Sequence, residues 1–435
     1  MSLPPGPKLP GLAQTLGMLS RPHGFLGRCR RRYGDVFSVN IAPYGRMVFL
    51  ADPELIRQVF TGDTRLFHVG GVRGRVLSPL LGEHSLLLLD EDEHMRERKL
   101  MLPAFHGEAL RRYPLLIEEI AEEQVSRWPV GEPVALRPRM QAITLEVILR
   151  LVIGVRDTEA LARLRDLLGR LLDQPTTLLF LATALKRDIS WFRPWRRFLE
   201  IRAQADELIH KEIARRRAEP SGDDILSLLV QASGDSMSDE DLRDELMTLL
   251  IAGHETTATA LAWVFERLTR HPAALARLRE GDPAYLDAVI KETLRVRPVV
   301  MEVGRDITES VRLGPWELPA GTRVMSSIGL VQKAERHWPD PHAFRPERFL
   351  DGQPAPYTWI PFGGGPRRCI GASFAATEMA AIIPVVLRHF DLVPDRPEAE
   401  RSQTRNVTQV PERGARVVLS RRAPELQRQG VLSAA

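Results

Sequence analysis

Only two cysteines, Cys29 and Cys369, occur in 435 residues. At most one disulfide can form, so no disulfide framework holds the fold, and the usage fits a reducing compartment. Lysine is nearly as scarce. Arginine supplies most of the 60 basic residues, and the formal net charge is +4. Basic and acidic residues are interspersed, apart from the cluster "RCRRRYG" (Arg28–Gly34). That excludes the basic stripe of a nucleic-acid binder and leaves room for a basic docking face for an acidic partner. No apolar run approaches the 18 residues of a transmembrane helix, so no transmembrane anchor is expected. The opening "MSLPPGPKLPGLAQTLGML" lacks the basic and then apolar regions of a signal peptide. These absences describe a soluble, cytoplasmic protein. There is no internal repeat, low-complexity block or linker, so residues 1–435 read as a single, monomeric domain.

What remains is amphipathic helix with a few strand-like runs. "VFSVNIAPYGRMVFLAD" reads as a hairpin, "VRLGPWELPAGTRVMSS" as two short strands, and "ARVVLSRR" as a strand near the C-terminus. The fold class is therefore mainly α with small peripheral β-sheets. The longest helical pattern runs from Ser238 to Arg270. Ser238 followed by Asp239, Glu240 and Asp241 is an N-cap with acids in the first turn, and His271-Pro272 ends the helix. Its apolar middle carries one polar patch, "AGHETT" (Ala252–Thr257). Burying unpaired polar groups is costly, so the patch asks for a function.

The stretch "PFGGGPRRCIGASFA" (Pro361–Ala375) poses the sharper question. Cys29 lies in the basic cluster with no pattern around it and reads as structural. Cys369 ends a glycine-rich loop that lets backbone N–H groups approach a sulfur. Arg367 and Arg368 are expected to favour its thiolate, and an apolar helix follows it. No second cysteine is near, which excludes zinc and iron–sulfur sites. The loop lacks the GxxxxGK[ST] phosphate pattern, and "HETTA" lacks the second histidine of HExxH. A nucleophilic cysteine paired with a distant histidine stays open on spacing alone, although the glycines and arginines do not resemble such sites. A single thiolate that carries a metal alone points to haem iron.

"FGGGPRRCIG" (Phe362–Gly371) resembles the haem-binding signature of the cytochrome P450 superfamily. "AGHETT" is similar to that family's oxygen-activation patch. "KETLR" holds its glutamate–arginine pair, Glu292 and Arg295, and "FRPERF" holds the arginine that joins the pair, Arg348. These motifs follow in the family's order, and the N-terminal "PPGPKLPG" resembles its proline-rich lead-in. The resemblance implies haem b, with Cys369 as the iron ligand and Phe362 beside the sulfur. It implies His94, Arg98, Arg305 and Arg367 on the haem propionates. It assigns Glu255 and Thr256 to proton delivery, with Gly253 opening the helix to dioxygen, and leaves His254 structural. Glu292, Arg295 and Arg348 are implied as structural. Pocket contacts are expected from Phe67–Leu88, Leu250–Thr257, Val299–Val303 and Val407–Val410. These are mostly apolar, so the substrate is a hydrophobic small molecule such as a steroid, terpenoid or fatty acid. Ile189–Phe198 is expected as an entrance lid, a membrane-touching patch or a solvated loop.

The implied activity is a monooxygenase using O2. The chain shows no flavin or nicotinamide fingerprint, so a ferredoxin and a ferredoxin reductase are the expected electron donors. A peroxygenase, an isomerase or lyase, and a non-catalytic haem sensor are the alternatives, and the intact Glu255–Thr256 pair disfavours them. Glu302 is the odd residue, because the family usually has an apolar side chain there. It is expected either to turn toward solvent or an arginine, or to anchor a polar group of the substrate.

Overall fold

The computed structural model describes residues 3–42, 44–69, 77–155, 157–172, 194–219 and 222–422. Most of them are helical, with four small sheets set around the helices. Among the described residues, no helix is long and apolar enough to cross a membrane.

The central helix spans Asp239–Thr269, 31 residues, or about 46 Å at 1.5 Å per residue. Its start is a capping box. The Asp241 N–H donates to Ser238 Oγ at 3.1 Å, and the Ser238 N–H donates to the Asp241 carboxylate at 2.8 Å. Residues 242–250 and 257–266 are buried, so the helix runs through the core. It lies along the helix Leu136–Ile148 and packs against the helix Ala372–His389. The helix is unbroken at Gly253, contrary to the expectation that it opens there. A Cβ on Gly253 would come within 3.0 Å of Ile148 Cδ1, so the glycine serves close helix–helix approach.

The helix Ala372–His389 buries Phe374 edge-on against Phe105 and Tyr113. It also buries Glu378, whose carboxyl meets the Thr257 hydroxyl of the central helix. Burial pushes Glu378 up to about 8, so it is a protonated carboxylic acid at neutral pH.

The largest sheet has five strands in the order Val36–Ile41, Gly45–Leu50, Arg323–Ser327, Glu302–Ile307 and Phe67–His68. The expected hairpin is its first pair, with Val36 opposite Leu50. The stretch 311–327 makes three strands where two were expected, because Arg323–Ser327 leaves the local hairpin to pair in parallel with Gly45–Leu50. The helix Pro22–Tyr33 covers one sheet face. It buries Cys29 with Phe25, Leu26, Phe37 and Phe49, while Arg28, Arg31 and Arg32 stay exposed.

One ion pair ties the helices to the loops beneath. Glu292 and Arg295 lie one turn apart on the helix Pro283–Val296, both fully buried, with bidentate contacts of 2.7 and 2.8 Å. Arg295 also donates to the carbonyls of Gln332, Pro341 and Ala343. Glu292 accepts the Arg345 N–H at 2.9 Å. Arg348 is within 3.5 Å of Glu292 but spends its hydrogen bond on the Asp340 carbonyl. Removing one partner of a buried pair strands the other charge and costs about 3–5 kcal/mol. Arg295→Ala should therefore lose most of the protein's stability in urea unfolding, and Arg348→Ala far less. Equal, small losses for the two variants would show that the pair does not hold this region.

Candidate functional site

The loop before Cys369 can only be built with glycine. Gly363 and Gly365 take φ of 68° and 63°. A Cβ on Gly365 would sit 1.8 Å from the Phe60 carbonyl oxygen, and one on Gly364 would sit 2.5 Å from the Phe60 ring. The turn Gly365–Arg367 then delivers Cys369, whose N–H donates to the Phe362 carbonyl at 2.9 Å. The Gly371 N–H donates to the sulfur, at the cap of the helix Ala372–His389. Phe362 packs against the helical core and meets Trp359 edge-on at 6.3 Å.

Cys369 keeps accessible surface, whereas Cys29 is buried. The walls around Cys369 are nonetheless close enough that desolvation raises its thiol above the ordinary cysteine value, against the pull of Gly371, Arg368 and Arg98. This corrects the expected pairing of Arg367 with Arg368. Arg98 acts on the sulfur, and Arg367 is engaged elsewhere. The loop alone does not favour the thiolate; coordination to a metal ion would.

His94 and Arg98 lie one turn apart on the helix Glu91–Met101. His94 is 2% exposed, and its Nδ1 has no hydrogen-bond partner among the described residues. Burial, Arg367, Arg98 and Arg305 together hold it down to about 3. Arg305, on the strand Glu302–Ile307, is buried over the Phe60 ring and donates to the Gly304 carbonyl at 2.9 Å. Arg367 donates to Asp90 at 2.5 Å and to the Leu89 carbonyl. Three guanidiniums thus bear on one buried neutral imidazole, with Asp90 the carboxylate bound to Arg367. Four of the expected residues are brought together here, and their chemistry calls for anionic carboxylates at this edge.

In the central helix only His254 is buried between Ile251 and Thr256, while the stretches on both sides are buried throughout. That accessible window carries Glu255 and Thr256. Thr256 Oγ1 donates to the Ala252 carbonyl at 2.6 Å. Glu255 is held by Arg137 at 2.5 Å and by Gln141 at 2.7 Å. Both partners come from the helix Leu136–Ile148, and sequence reasoning missed them. "LRPRMQ" carries no motif, and 118 positions separate Arg137 from Glu255.

Two of the expected pocket stretches meet directly, since the Gln409 N–H donates to the Val299 carbonyl at 2.8 Å. Of Phe67–Leu88, residues 70–76 lie outside the described residues, as does 189–193 of the expected lid. Trp195 and Phe198 stack at 5.5 Å, with Phe198 fully buried, so that end of the stretch belongs to the core and not to a solvated loop. Glu302 opens its strand opposite Ser327. No hydrogen bond or ion pair to its side chain occurs among the described residues, so no arginine pairs with it. Glu302 keeps part of its surface accessible, and desolvation pushes its carboxyl up to about 7.

The geometry matches the haem-thiolate enzymes that the sequence resembles. The family model for cytochrome P450 matches residues 4–417. The relatives include the proteins named cytochrome P450 135B1 and cytochrome P450 138 of Mycobacterium tuberculosis. The first is 46% identical over 96% of this chain and 91% of its own length, and the second 41% over 97% of each. Among solved structures, the retinoic-acid-bound cyanobacterial CYP120A1 is 25% identical with a TM-score of 0.81, covering 97% of this chain and 100% of that one. The P450DA haem domain is 24% identical with a TM-score of 0.84, covering 98% of each. The family's group is haem b. An accessible thiol at one wall, a polar window in a buried helix, and a carboxylate-seeking edge at His94 fit its iron and its two propionates. The chain belongs to the cytochrome P450 family.

Proposed function

We propose that this protein is a monooxygenase that places one oxygen atom of O2 into a C–H or C=C bond of a hydrophobic small molecule. The observation that supports this most is the accessible window in the central helix, where an acid and an alcohol stand side by side in an otherwise buried segment. When bound, haem with a thiolate ligand supplies an electron-rich iron that favours O–O cleavage. The chain's own task is then to ration protons. The Thr256 hydroxyl donates its hydrogen bond to the Ala252 carbonyl, which leaves its oxygen lone pairs free to accept from a water in the window. Glu255 is held next to it by Arg137 and Gln141. Releasing one of those contacts lets the carboxylate carry a proton inward from solvent.

The electron donors in this reading are a ferredoxin and its reductase. Arg98, Lys99 and Arg368 offer positive charge beside the Cys369 loop for an acidic partner. The protein is read as one monomeric, cytoplasmic domain, which gel filtration and cell fractionation check. The mostly apolar stretches 250–257 and 299–303 support a lipophilic substrate, and so does the retinoic acid bound by CYP120A1. Glu302 adds one polar contact to this picture, an amine or hydroxyl of the substrate.

Three experiments test the reading. With ferredoxin and reductase supplied, Thr256→Ala should keep haem and substrate binding but divert NADPH electrons into hydrogen peroxide. The reduction rate should fall as salt screens the docking face, since the Debye length is about 10 Å at 0.1 M. Unchanged coupling of NADPH use to product would remove Thr256 from the mechanism, and salt-independent reduction would remove the charged docking face. For Glu302→Leu, binding of the true substrate should weaken about tenfold, in line with a charge-assisted hydrogen bond of roughly 1.5–3 kcal/mol. Full affinity with unaltered regioselectivity would exclude Glu302 as an anchor.

A further inference from the structure

Away from the haem edge, three basic side chains from three elements converge without a carboxylate to pair them. His23 is the second residue of the helix Pro22–Tyr33, Arg297 caps the helix Pro283–Val296, and Lys333 follows the short helix Ile328–Val331. Gln409 and Trp263 knit the corner together. His23 Nε2 and Gln409 Oε1 are 2.8 Å apart, and Trp263 Nε1 donates to the Gln409 carbonyl at 2.8 Å. The Arg297 guanidinium lies over the Trp263 ring, 4.9 Å from its centroid.

One donor here is unsatisfied. Arg297 Nε is buried with no hydrogen-bond partner among the described residues. His23 spends its Nε2–H on Gln409, and burial with Lys333 and Arg297 lowers its pKa, so its Nδ1 is an acceptor. Among the described residues, neither the Arg297 nor the Lys333 side chain makes a hydrogen bond or an ion pair. The charges feel one another. Burial with Arg297 and Arg295 lowers Lys333 to about 8, and burial with Arg267 lowers Arg297 to about 10. The nearest opposing carboxylate, Glu266, is already bound by Arg267 and Arg270. The helix Pro22–Tyr33 adds its positive end, with no side-chain cap at Arg21 and no acid in its first turn. Two like charges, half-buried and unpaired, are costly in a folded protein unless something negative sits between them. His23, Arg297 and Lys333 each keep some accessible surface, so the corner can be reached.

We propose that Arg297, Lys333 and the N-terminal end of the helix Pro22–Tyr33 form a binding site for a phosphate dianion, free or carried on an organic molecule. Two fixed cations match its charge. The guanidinium and the helix N–H groups supply the directional donors that a phosphate oxygen accepts, while His23 is held aside by Gln409. Gln409 links this corner to Val299 through its backbone, and thus to the segment leading to Arg305, but the site is separate from the haem edge.

Thermal unfolding of the haem-loaded protein with added inorganic phosphate, against sodium chloride at equal ionic strength, tests the site. Phosphate should raise the midpoint saturably, and isothermal titration should give a single site. Lys333→Met and Arg297→Gln should each weaken that binding at least tenfold. Without phosphate both variants should be as stable as the parent or more so, because each removes one of two repelling charges. Glycerol phosphate that binds more tightly than inorganic phosphate would identify an esterified ligand, and the reverse order would identify the free ion. Phosphate that does no more than chloride, or variants that bind it as the parent does, would overturn the site. These outcomes are independent of turnover, so they stand or fall apart from the monooxygenase reading.

Discussion

The buried Glu292–Arg295 pair is the constraint on which the position of Cys369 depends. Arg295 collects three backbone carbonyls, among them that of Gln332. The Gln332 side chain donates back to the carbonyls of Leu294 and Arg295 and accepts the Ile360 N–H at 3.0 Å. Ile360 leads into the glycine loop, and Trp359 is anchored on the Lys291 carbonyl and packed on Phe362. Phe362 in turn takes the Cys369 N–H. An ion pair far from the chemistry therefore fixes the backbone frame of a sulfur that has no strong local reason to be ionised. The loop supplies position, and a metal bound there would supply the thiolate.

The walls facing that sulfur divide the electrostatic work. The edge at His94, Arg98, Arg305 and Arg367 is rich in positive charge and poor in carboxylates, which suits a dianionic group lying across it. The central helix offers a different chemistry. Its carboxylate, Glu255, is tied down by a cation, while Glu378 below is kept protonated by burial and bonded to Thr257. Positive charge thus gathers at the edge, while the carboxyl groups at the helix, Glu255 and Glu378, are either paired or protonated.

The sequence was most legible where partners are close along the chain. The N-cap at Ser238 and the Glu292–Arg295 turn are local, and both appear as read; the glycines before Cys369 are local too, but they are required by positive φ and by the close approach of Phe60. The long-range partners were not legible. Arg137 meets Glu255 across 118 positions, and Asp90 meets Arg367 across 277, with no pattern around either residue. The strand pair Ser402–Arg405 and Thr408–Pro411 also escaped, because "SQTR" has no apolar alternation and owes its strand form to its partner. The close approach of Ile148 to Gly253 was not legible either, because Ile148 belongs to another helix.

The central claim is that Cys369 and no other group ligates the iron, and the carbon monoxide complex of the reduced protein tests it most directly. The parent protein should show the red-shifted Soret band of thiolate ligation. Cys29→Ser should keep that band, because Cys29 is sealed under the helix Pro22–Tyr33. Cys369→Ser should lose it while retaining the helical fold. A Cys369→Ser protein that keeps the band, or a Cys29→Ser protein that loses it, would contradict the assignment.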